Sequence, residues 1–264
     1  MQFNIIGGDN RFEILEKMLT ESGHTVSKNA RVFILPLPVS RDGVTVNAPR
    51  QKDKILLADI IQNTEEGDIY FGGLIPEDFA LKLRATGAVV FDYNACEEFA
   101  RLNAVPTAEG ALALAIESTD YSLRGAKCLV SGYGKIGKVL AQYLSALGAD
   151  VTISARKEAD FSAANQLGLK HIHCNEIALH IADYPLIFNT VPHRIFTDKA
   201  ISAISSGCLY IELASVPYGI DFDTARAAGI TLINAPSLPA KVAPVTAAKN
   251  IKNTIFHIIR EEFT

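Results

Sequence analysis

The sequence predicts an α/β fold with two Rossmann-like parallel-sheet domains, an interdomain cleft and linking helices. Apolar runs of strand length alternate with helical patterns along nearly the whole chain, an order that builds parallel sheets with helices on both faces. One strand-to-helix turn carries the spacing G-x-G-x-x-G. The length of 264 residues allows one large domain or two modest ones, each able to bury its own core.

The N-terminal domain is predicted to cover residues 1–105 and to form the substrate side of the protein. Its predicted strands are 3–6, 31–35, 68–71 and 88–91, and its predicted helices are 12–22, 52–62 and 77–86. Pro76 fits the start of the last helix, because proline is favoured in the first turn. The three prolines between Pro36 and Pro49 predict an irregular loop or a short hairpin.

An alanine-rich helix over residues 107–117 is predicted to link the two domains. The second domain, residues 106–241, continues with predicted strands at 127–130, 149–154, 186–189, 208–213 and 231–234. The last segment, 245–262, places four isoleucines on one helical face, namely Ile251, Ile255, Ile258 and Ile259. We expect the C-terminal helix, within residues 242–264, to pack back on the first domain.

The glycine motif predicts a dinucleotide site. Gly132 permits a tight turn, Gly134 lets the backbone approach a pyrophosphate, and Gly137 lets the helix pack closely on its strand. The phosphates then lie over a helix N-terminus, where N–H groups and the helix dipole favour an anion. A glycine-rich turn that binds nothing remains the alternative. The predicted contacts here are Gly132, Tyr133, Gly134, Lys135, Ile136 and Gly137.

The end of the second strand favours NADP over NAD, although NAD stays open. A site for NAD usually has an Asp or Glu about 20 residues beyond the first glycine, where it holds the ribose hydroxyls. This chain has Ser154, Arg156 and Lys157 in that region, and no carboxylate before Glu158. A hydroxyl and two cations suit a 2′-phosphate, because a guanidinium pairs with phosphate in a bidentate way. A solvated basic turn is the alternative.

Small and polar segments follow three further strands of the second domain: 189–192, 214–219 and 235–241. Open α/β sheets bind ligands at the carboxyl ends of their strands, so these segments predict the rest of a cofactor cleft. Ordinary turn chemistry explains any one of them alone. The predicted cofactor contacts are Asn189, Thr190, Val191, Pro192 and Ala214.

A matching set of segments follows strands of the first domain, and its predicted substrate-binding residues are Arg11, Gly72, Gly73 and Asn94. Thr107 is a candidate cap for the linking helix, with Glu109 in its first turn. Glu109 then has two interpretations, a catalytic or substrate role, or a carboxylate that complements the helix dipole.

Histidine chemistry is a weaker candidate. His193 follows Asn-Thr-Val-Pro and is a candidate general base, but a solvated loop histidine is the more common case. His171 and His173 alternate as on a strand, and the pattern predicts no metal site.

Composition narrows the function classes. The formal net charge of −4 gives no broad basic field, so we expect no nucleic-acid partner. We also expect no membrane partner, because no apolar run reaches the about 18 residues that span a bilayer. The four cysteines are far apart and no signal peptide opens the chain, so the sequence predicts a soluble cytoplasmic protein.

Several segments together resemble the family formed by the A subunits of dipicolinate synthase. They are residues 102–111, with the core P-T-A-E-G-A, the glycine loop, 189–192, 238–244, the opening Gly7-Gly8-Asp9, and the turn at 22–24. The resemblance covers essentially the whole chain. It departs from the family pattern at Ala240, where the family has glycine, and near Ala248, and the change at position 240 puts the shape of the segment carrying Lys241 in question.

The resemblance implies an NAD(P)-dependent oxidation of a dihydro- or hydroxytetrahydrodipicolinate to dipicolinate, with a flavoprotein-like B subunit, in the mother cell during sporulation. The dicarboxylate substrate calls for cations, and Lys241 and Arg11 are the candidates. Thr107, Glu109 and Ser215 are candidates to orient the ring or accept its proton. A shikimate- or 2-hydroxyacid-type dehydrogenase and a non-catalytic nucleotide-sensing subunit stay open, as does a homo-oligomer.

Overall fold

The computed structural model describes residues 1–263 and divides into two compact units. One unit comprises Met1–Asn103 together with the chain from Ala243 onward, and the other comprises Ala104–Val242. Each unit contains one sheet whose strands are all parallel, with helices between the strands. The predicted α/β class with two parallel sheets is confirmed, whereas the interdomain cleft stays a prediction.

The strands are β1 (Gln2–Ile5), β2 (Thr25–Val26), β3 (Val32–Ile34), β4 (Ile69–Gly72), β5 (Val89–Asp92), β6 (Lys127–Ser131), β7 (Asp150–Ala155), β8 (Lys170–His173), β9 (Leu186–Asn189), β10 (Leu209–Glu212) and β11 (Thr231–Asn234). The α-helices are α1 (Asn10–Glu21), α2 (Leu57–Gln62), α3 (Glu77–Ala85), α4 (Glu97–Ser118), α5 (Lys135–Ala146), α6 (Glu158–Gln166), α7 (Ile177–His180), α8 (Asp198–Ala203), α9 (Phe222–Ala227), α10 (Leu238–Val242) and α11 (Pro244–Phe263).

The sheet of the first unit has the strand order β2-β1-β3-β4-β5. Helix α11 packs against α1, and its isoleucine face enters the core that also contains Phe3 and Leu15. Ile251 and Ile255 are almost completely buried there, as the 3.6-residue spacing of the isoleucines requires. The C-terminal helix is therefore part of the first unit's core.

The sheet of the second unit has the order β8-β7-β6-β9-β10-β11. Counted along the chain from β6, this is the order 3-2-1-4-5-6 of dinucleotide-binding sheets, with the switch point between β6 and β9. One face packs against α4, α5 and α6, and the other against α7, α8 and α9. The glycine loop therefore lies at the switch point.

Two predicted helix starts are wrong. Helix α2 begins at Leu57 rather than at residue 52, because the preceding chain is extended and Val46 N–H donates to Ile55 O at 2.9 Å.

The prolines of 36–49 lie in a loop with an isolated antiparallel bridge between Ser40 and Val46, as the sequence predicts.

The linking helix α4 begins at Glu97 rather than at residue 107, so Pro106 lies inside it. Proline normally disfavours a helix interior, since it removes one hydrogen bond. Here Pro106 is buried between the buried alanines Ala104 and Ala108, and packing maintains the helix through the proline. Thr107 is consequently not a helix cap, and Glu109 does not lie in a first turn.

Candidate dinucleotide site

The glycine loop joins β6 to α5, and two of its glycines are required by packing. Gly132 has φ +92°, and a Cβ atom there would clash with Thr190 Oγ1 and lie 2.8 Å from Val191 Cγ2. A Cβ atom on Gly137 would collide with the carbonyl oxygen of Gly132. These two glycines therefore let β6, α5 and the residues that follow β9 pack closely together.

Gly134 differs, because a Cβ atom there would meet no atom within 4 Å. Gly134 is the N-cap residue of α5, with φ −80° and no side chain to cap the helix. The missing side chain leaves open space directly over the first turn of a 12-residue helix. First-turn amides and the helix dipole favour an anion at such a position, so the predicted pyrophosphate contact at Gly134 stays a prediction that this open space agrees with. Beside it, Tyr133 is buried, Ile136 is half-buried and Lys135 is exposed.

The end of β7 offers cations but no carboxylate. The strand ends at Ala155, and the exposed Arg156 and Lys157 follow it directly. Ser154 is 1% exposed, and its hydroxyl has no hydrogen-bond partner in the structure. A contact of Ser154, Arg156 or Lys157 with a 2′-phosphate stays a prediction.

A row of polar residues crosses the carboxyl ends of five neighbouring strands. The register pairs Ser154 of β7 with Ser131 of β6, Ser131 with Asn189 of β9, Asn189 with Glu212 of β10, and Glu212 with Asn234 of β11. The first four are fully or almost fully buried. Residues in register on parallel strands point to the same face, so these side chains form one line across the sheet.

Glu212 is the central group of this row and is 0% exposed. Its Oε1 accepts from Asn189 Nδ2 at 2.7 Å and from Ala214 N–H at 3.0 Å. Its Oε2 accepts from Gly219 N–H at 2.9 Å and from the Tyr210 hydroxyl at 3.2 Å. Burial raises the pKa of Glu212, although these hydrogen bonds oppose the shift.

Sequence reasoning missed Glu212. The available signal was a single carboxylate inside the apolar run from Cys208 to Leu213. Burying a carboxylate lowers the stability of the fold unless hydrogen bonds satisfy its oxygens. A carboxylate in an apolar strand therefore predicts a polar site with hydrogen-bond donors around it.

The side chains of Asn189 and Thr190 are occupied by the loop that follows β9. Asn189 Nδ2 donates to Val191 O at 2.9 Å, and Asn189 Oδ1 accepts from Val191 N–H at 3.1 Å. Thr190 Oγ1 donates to Ser131 O at 2.9 Å, which ties β9 to β6 across the switch point. The predicted cofactor contacts of Asn189, Thr190, Val191, Pro192 and Ala214 stay predictions, and Asn189 is fully buried.

The four predicted catalytic residues lie in three places: Thr107 and Glu109 on α4, Ser215 in the loop after β10, and Lys241 on α10. Lys241 is exposed, and the segment that carries it is the short helix α10. The positive φ angle of this segment is at Ser237 (59°), and Ala240 is within the helix, so the alanine there carries no such strain. Ser215 and Glu109 are exposed, and Thr107 is 9% exposed.

Glu109 and Lys241 belong to neighbouring helices. A Cβ atom on Gly110 of α4 would lie 3.0 Å from the Cβ atom of Leu238 at the start of α10. Gly110 therefore permits a close approach of the two helices. This approach brings the segments that carry Glu109 and Lys241 near each other, while their catalytic roles stay predictions.

The predicted substrate-binding residues of the first unit follow strand ends of its sheet. Arg11 is 4% exposed, and its guanidinium binds Asp9 through contacts of 2.9 and 2.8 Å and donates to Leu37 O at 2.7 Å. The Asp9 carboxylate therefore already balances this cation, and a substrate contact of Arg11 stays a prediction.

Packing explains Gly72 and Gly73, where an added Cβ atom would lie 2.8 Å from Ile75 Cγ1 and 2.7 Å from Leu37 Cδ1, respectively. Asn94 N–H donates to Asp92 Oδ1 at 2.8 Å.

The histidines take ordinary structural positions. His193 is exposed in the loop after β9, and His171 of β8 stacks on Phe161 with ring centroids 4.6 Å apart. Across residues 1–263, no three His, Cys, Asp or Glu side chains are grouped as a metal site needs. Within the same range, no helix is both long enough and apolar enough to cross a bilayer.

Comparison with known proteins identifies relatives along the whole length. The A subunit of dipicolinate synthase from Bacillus subtilis (strain 168) is 29% identical over 99% of this chain and 96% of its own length. The chain is a relative of this dipicolinate synthase component. The solved structure of the corresponding protein from Bacillus halodurans has a TM-score of 0.90 at 25% identity, covering 98% of this chain and 97% of that one. The solved structure from Bacillus subtilis gives 0.88 at 27% identity, covering 99% and 96%.

The likeness to the A subunits of dipicolinate synthase therefore covers both units, and the resemblance predicted from the sequence is confirmed. A transhydrogenase from Sinorhizobium meliloti shares the fold alone, with a TM-score of 0.73 at 16% identity over 98% of this chain and 93% of that one. No protein-family model matches the chain.

Proposed function

We propose that this chain is a dehydrogenase-type subunit that uses a nicotinamide dinucleotide to oxidise a dihydro- or hydroxytetrahydrodipicolinate to dipicolinate. The observation that carries the proposal is the glycine loop, with open space over the N-terminus of α5 at the switch point of a 3-2-1-4-5-6 sheet. The whole-length likeness to the A subunit of dipicolinate synthase supports the substrate class. The word "subunit" in that relative's name supports a partner subunit. Our proposal is that the partner is flavoprotein-like and that the pair acts in the mother-cell cytoplasm.

The cofactor that the site favours is NADP. The amides at the start of α5 would hold the pyrophosphate, and Arg156 and Lys157 after β7 would hold a 2′-phosphate. The absence of a carboxylate at Ala155 removes the usual partner of the NAD ribose hydroxyls. When bound, the nicotinamide supplies the hydride acceptor.

The chain's own residues would bind and orient the substrate. A dihydrodipicolinate ring loses one hydride from a ring carbon to the nicotinamide and one proton, which leaves the aromatic dicarboxylate. A hydroxytetrahydrodipicolinate ring first loses one water molecule to reach the dihydro level. Lys241 and Arg11 are the proposed partners of the two carboxylates, with Arg11 acting from its pair with Asp9. Glu109, Thr107 and Ser215 are the proposed groups that orient the ring or accept its proton. Aromatisation provides driving force, so positioning is the main task of the protein.

The test is the absorbance at 340 nm with NADP or NAD and the cyclic precursor, measured with and without the partner subunit. We expect reduction of the dinucleotide, faster with NADP. A flat trace with both subunits present would contradict the dehydrogenase role. If Lys241→Ala and Glu109→Gln each keep full turnover, catalysis belongs to the partner, and this chain is a nucleotide-sensing subunit.

A further inference from the structure

Glu212 lies next to the proposed cofactor site without belonging to any of its predicted contacts. It is fully buried at the end of β10, which neighbours β9 at the switch point. Two strand-end loops depend on it. Ala214 and Gly219 bracket the loop after β10 and both donate to it, and Asn189 connects it to the loop after β9.

The hydrogen bonds of this site require a carboxylate. Three of its four partners are N–H donors that cannot accept a hydrogen bond: the Asn189 amide and the main-chain amides of Ala214 and Gly219. The Asn189 amide cannot be reversed, because its Oδ1 accepts from Val191 N–H and its Nδ2 donates to Val191 O. A glutamine at position 212 would place an NH₂ group against at least one of these donors.

The place of Glu212 in the row of polar residues across the sheet indicates which half of the proposed dinucleotide lies nearest to it. The end of β7 takes the ribose that carries the 2′-group, and the N-terminus of α5 takes the pyrophosphate. The second nucleotide then extends to the opposite side of the switch point, over β9 and β10. The loop from Ala214 to Gly219 follows β10 and therefore lies on the nicotinamide side.

We infer that Glu212 is a positioning residue for the nicotinamide ring of the dinucleotide, because it fixes the loop from Ala214 to Gly219. The inference rests on the proposed function. Glu212 acts through the loop and does not touch the cofactor. The loop's own packing agrees with this role, since a Cβ atom on Gly219 would collide with Asn189 Nδ2. The loop is thus held against the strand ends from two directions.

The experiment compares NADP with 2′-phospho-ADP-ribose, which lacks the nicotinamide, by titration calorimetry on the full chain. For Glu212→Gln we expect about tenfold weaker binding of NADP, the size expected when a buried donor loses its partner. Binding of 2′-phospho-ADP-ribose should not change. Tyr210→Phe is the matched control, because it removes one hydrogen bond to Glu212 and leaves the three N–H donors paired. We expect it to bind both ligands like the wild type.

Each outcome decides the inference. If Glu212→Gln weakens the binding of both ligands equally, the effect is a general one on the fold, and the inference is overturned. Unchanged binding of both ligands would overturn the inference as well. If Glu212→Gln does not fold, Gly219→Ala displaces the same loop and should weaken NADP alone. A wild type that binds neither these ligands nor NAD and ADP-ribose would overturn the proposed function itself. A wild type that binds NADP while Glu212→Gln also binds it normally would overturn the inference alone.

Discussion

At the scale of single residues, two glycines of the loop, Gly134 and Gly137, have separable roles. Gly137 faces the carbonyl oxygen of Gly132, whereas Gly134 faces open space. We expect Gly137→Ala to lower the free energy of unfolding by about 1–3 kcal/mol, since the new methyl group overpacks the loop. Gly134→Ala should retain the wild-type stability, because its φ of −80° suits alanine, yet lose dinucleotide affinity because the methyl group enters the pyrophosphate space.

Urea unfolding and calorimetric titration with NADP, run on both variants, measure the two effects separately. The prediction is contradicted if Gly134→Ala unfolds earlier than the wild type, or if it binds NADP equally well. Earlier unfolding would mean that the folded chain does not tolerate a side chain at position 134, and equal binding would mean that the space over α5 does not hold the pyrophosphate.

Glu212 predicts a pH dependence of stability. Burial raises its folded-state pKa, so the group binds its proton more tightly in the folded chain than in the unfolded chain. Glu212 therefore makes its full contribution to stability when the pH is below the pKa that it has in the unfolded chain. This contribution is lost as the pH rises through the pKa that Glu212 has in the folded chain. Tyr210, the titratable group that faces it, has a pKa raised well above its usual value by burial, so it stays neutral in this range.

The comparison that isolates this effect is wild type against Glu212→Gln in urea unfolding at several pH values. The wild-type free energy of unfolding minus that of the variant should decrease as pH rises from about 4 to about 8, because the variant has no proton to lose at this position. A difference that stays constant with pH would show that the carboxyl group titrates as it does in the unfolded chain, and one that increases with pH would show that its folded-state pKa is lowered. Either result contradicts the prediction.

At the scale of elements, the sequence was most informative where one periodic signal decided the structure. The isoleucine face of α11 and the glycine turn between β6 and α5 were both predictable, because each follows from local spacing. The start of α4 was not predictable, because a proline such as Pro106 is typical of the first turn of a helix. Only the burial of its neighbours shows that packing maintains the helix through this proline.

The polar row shows a second limit of sequence reasoning. Ser131, Asn189 and Glu212 are far apart in the chain, and the register between β6, β9 and β10 places them side by side. A pattern of single strands does not contain this register. Glu212 was detectable as an anomaly in an apolar strand, but its partners Ala214 and Gly219 depend on how the following loop returns to the strand end.

At the scale of the whole molecule, each unit has its own core. Both hydrophobic clusters that cover the second sheet consist of residues between Ala108 and Leu238, inside the unit Ala104–Val242. The glycine loop, the cations after β7 and the polar row belong to the same unit. All the residues that we propose for the dinucleotide site therefore lie within residues 104–242.

We expect the isolated fragment 104–242 to fold cooperatively and to bind NADP with an affinity close to that of the full chain. It should not oxidise the cyclic substrate even with the partner subunit present, because Arg11 and the loops of the first sheet are missing. Circular dichroism, calorimetry and the 340 nm assay measure folding, binding and turnover. A folded fragment that does not bind NADP would place part of the dinucleotide site in the first unit, and a fragment that still turns over substrate would remove Arg11 from the proposed reaction.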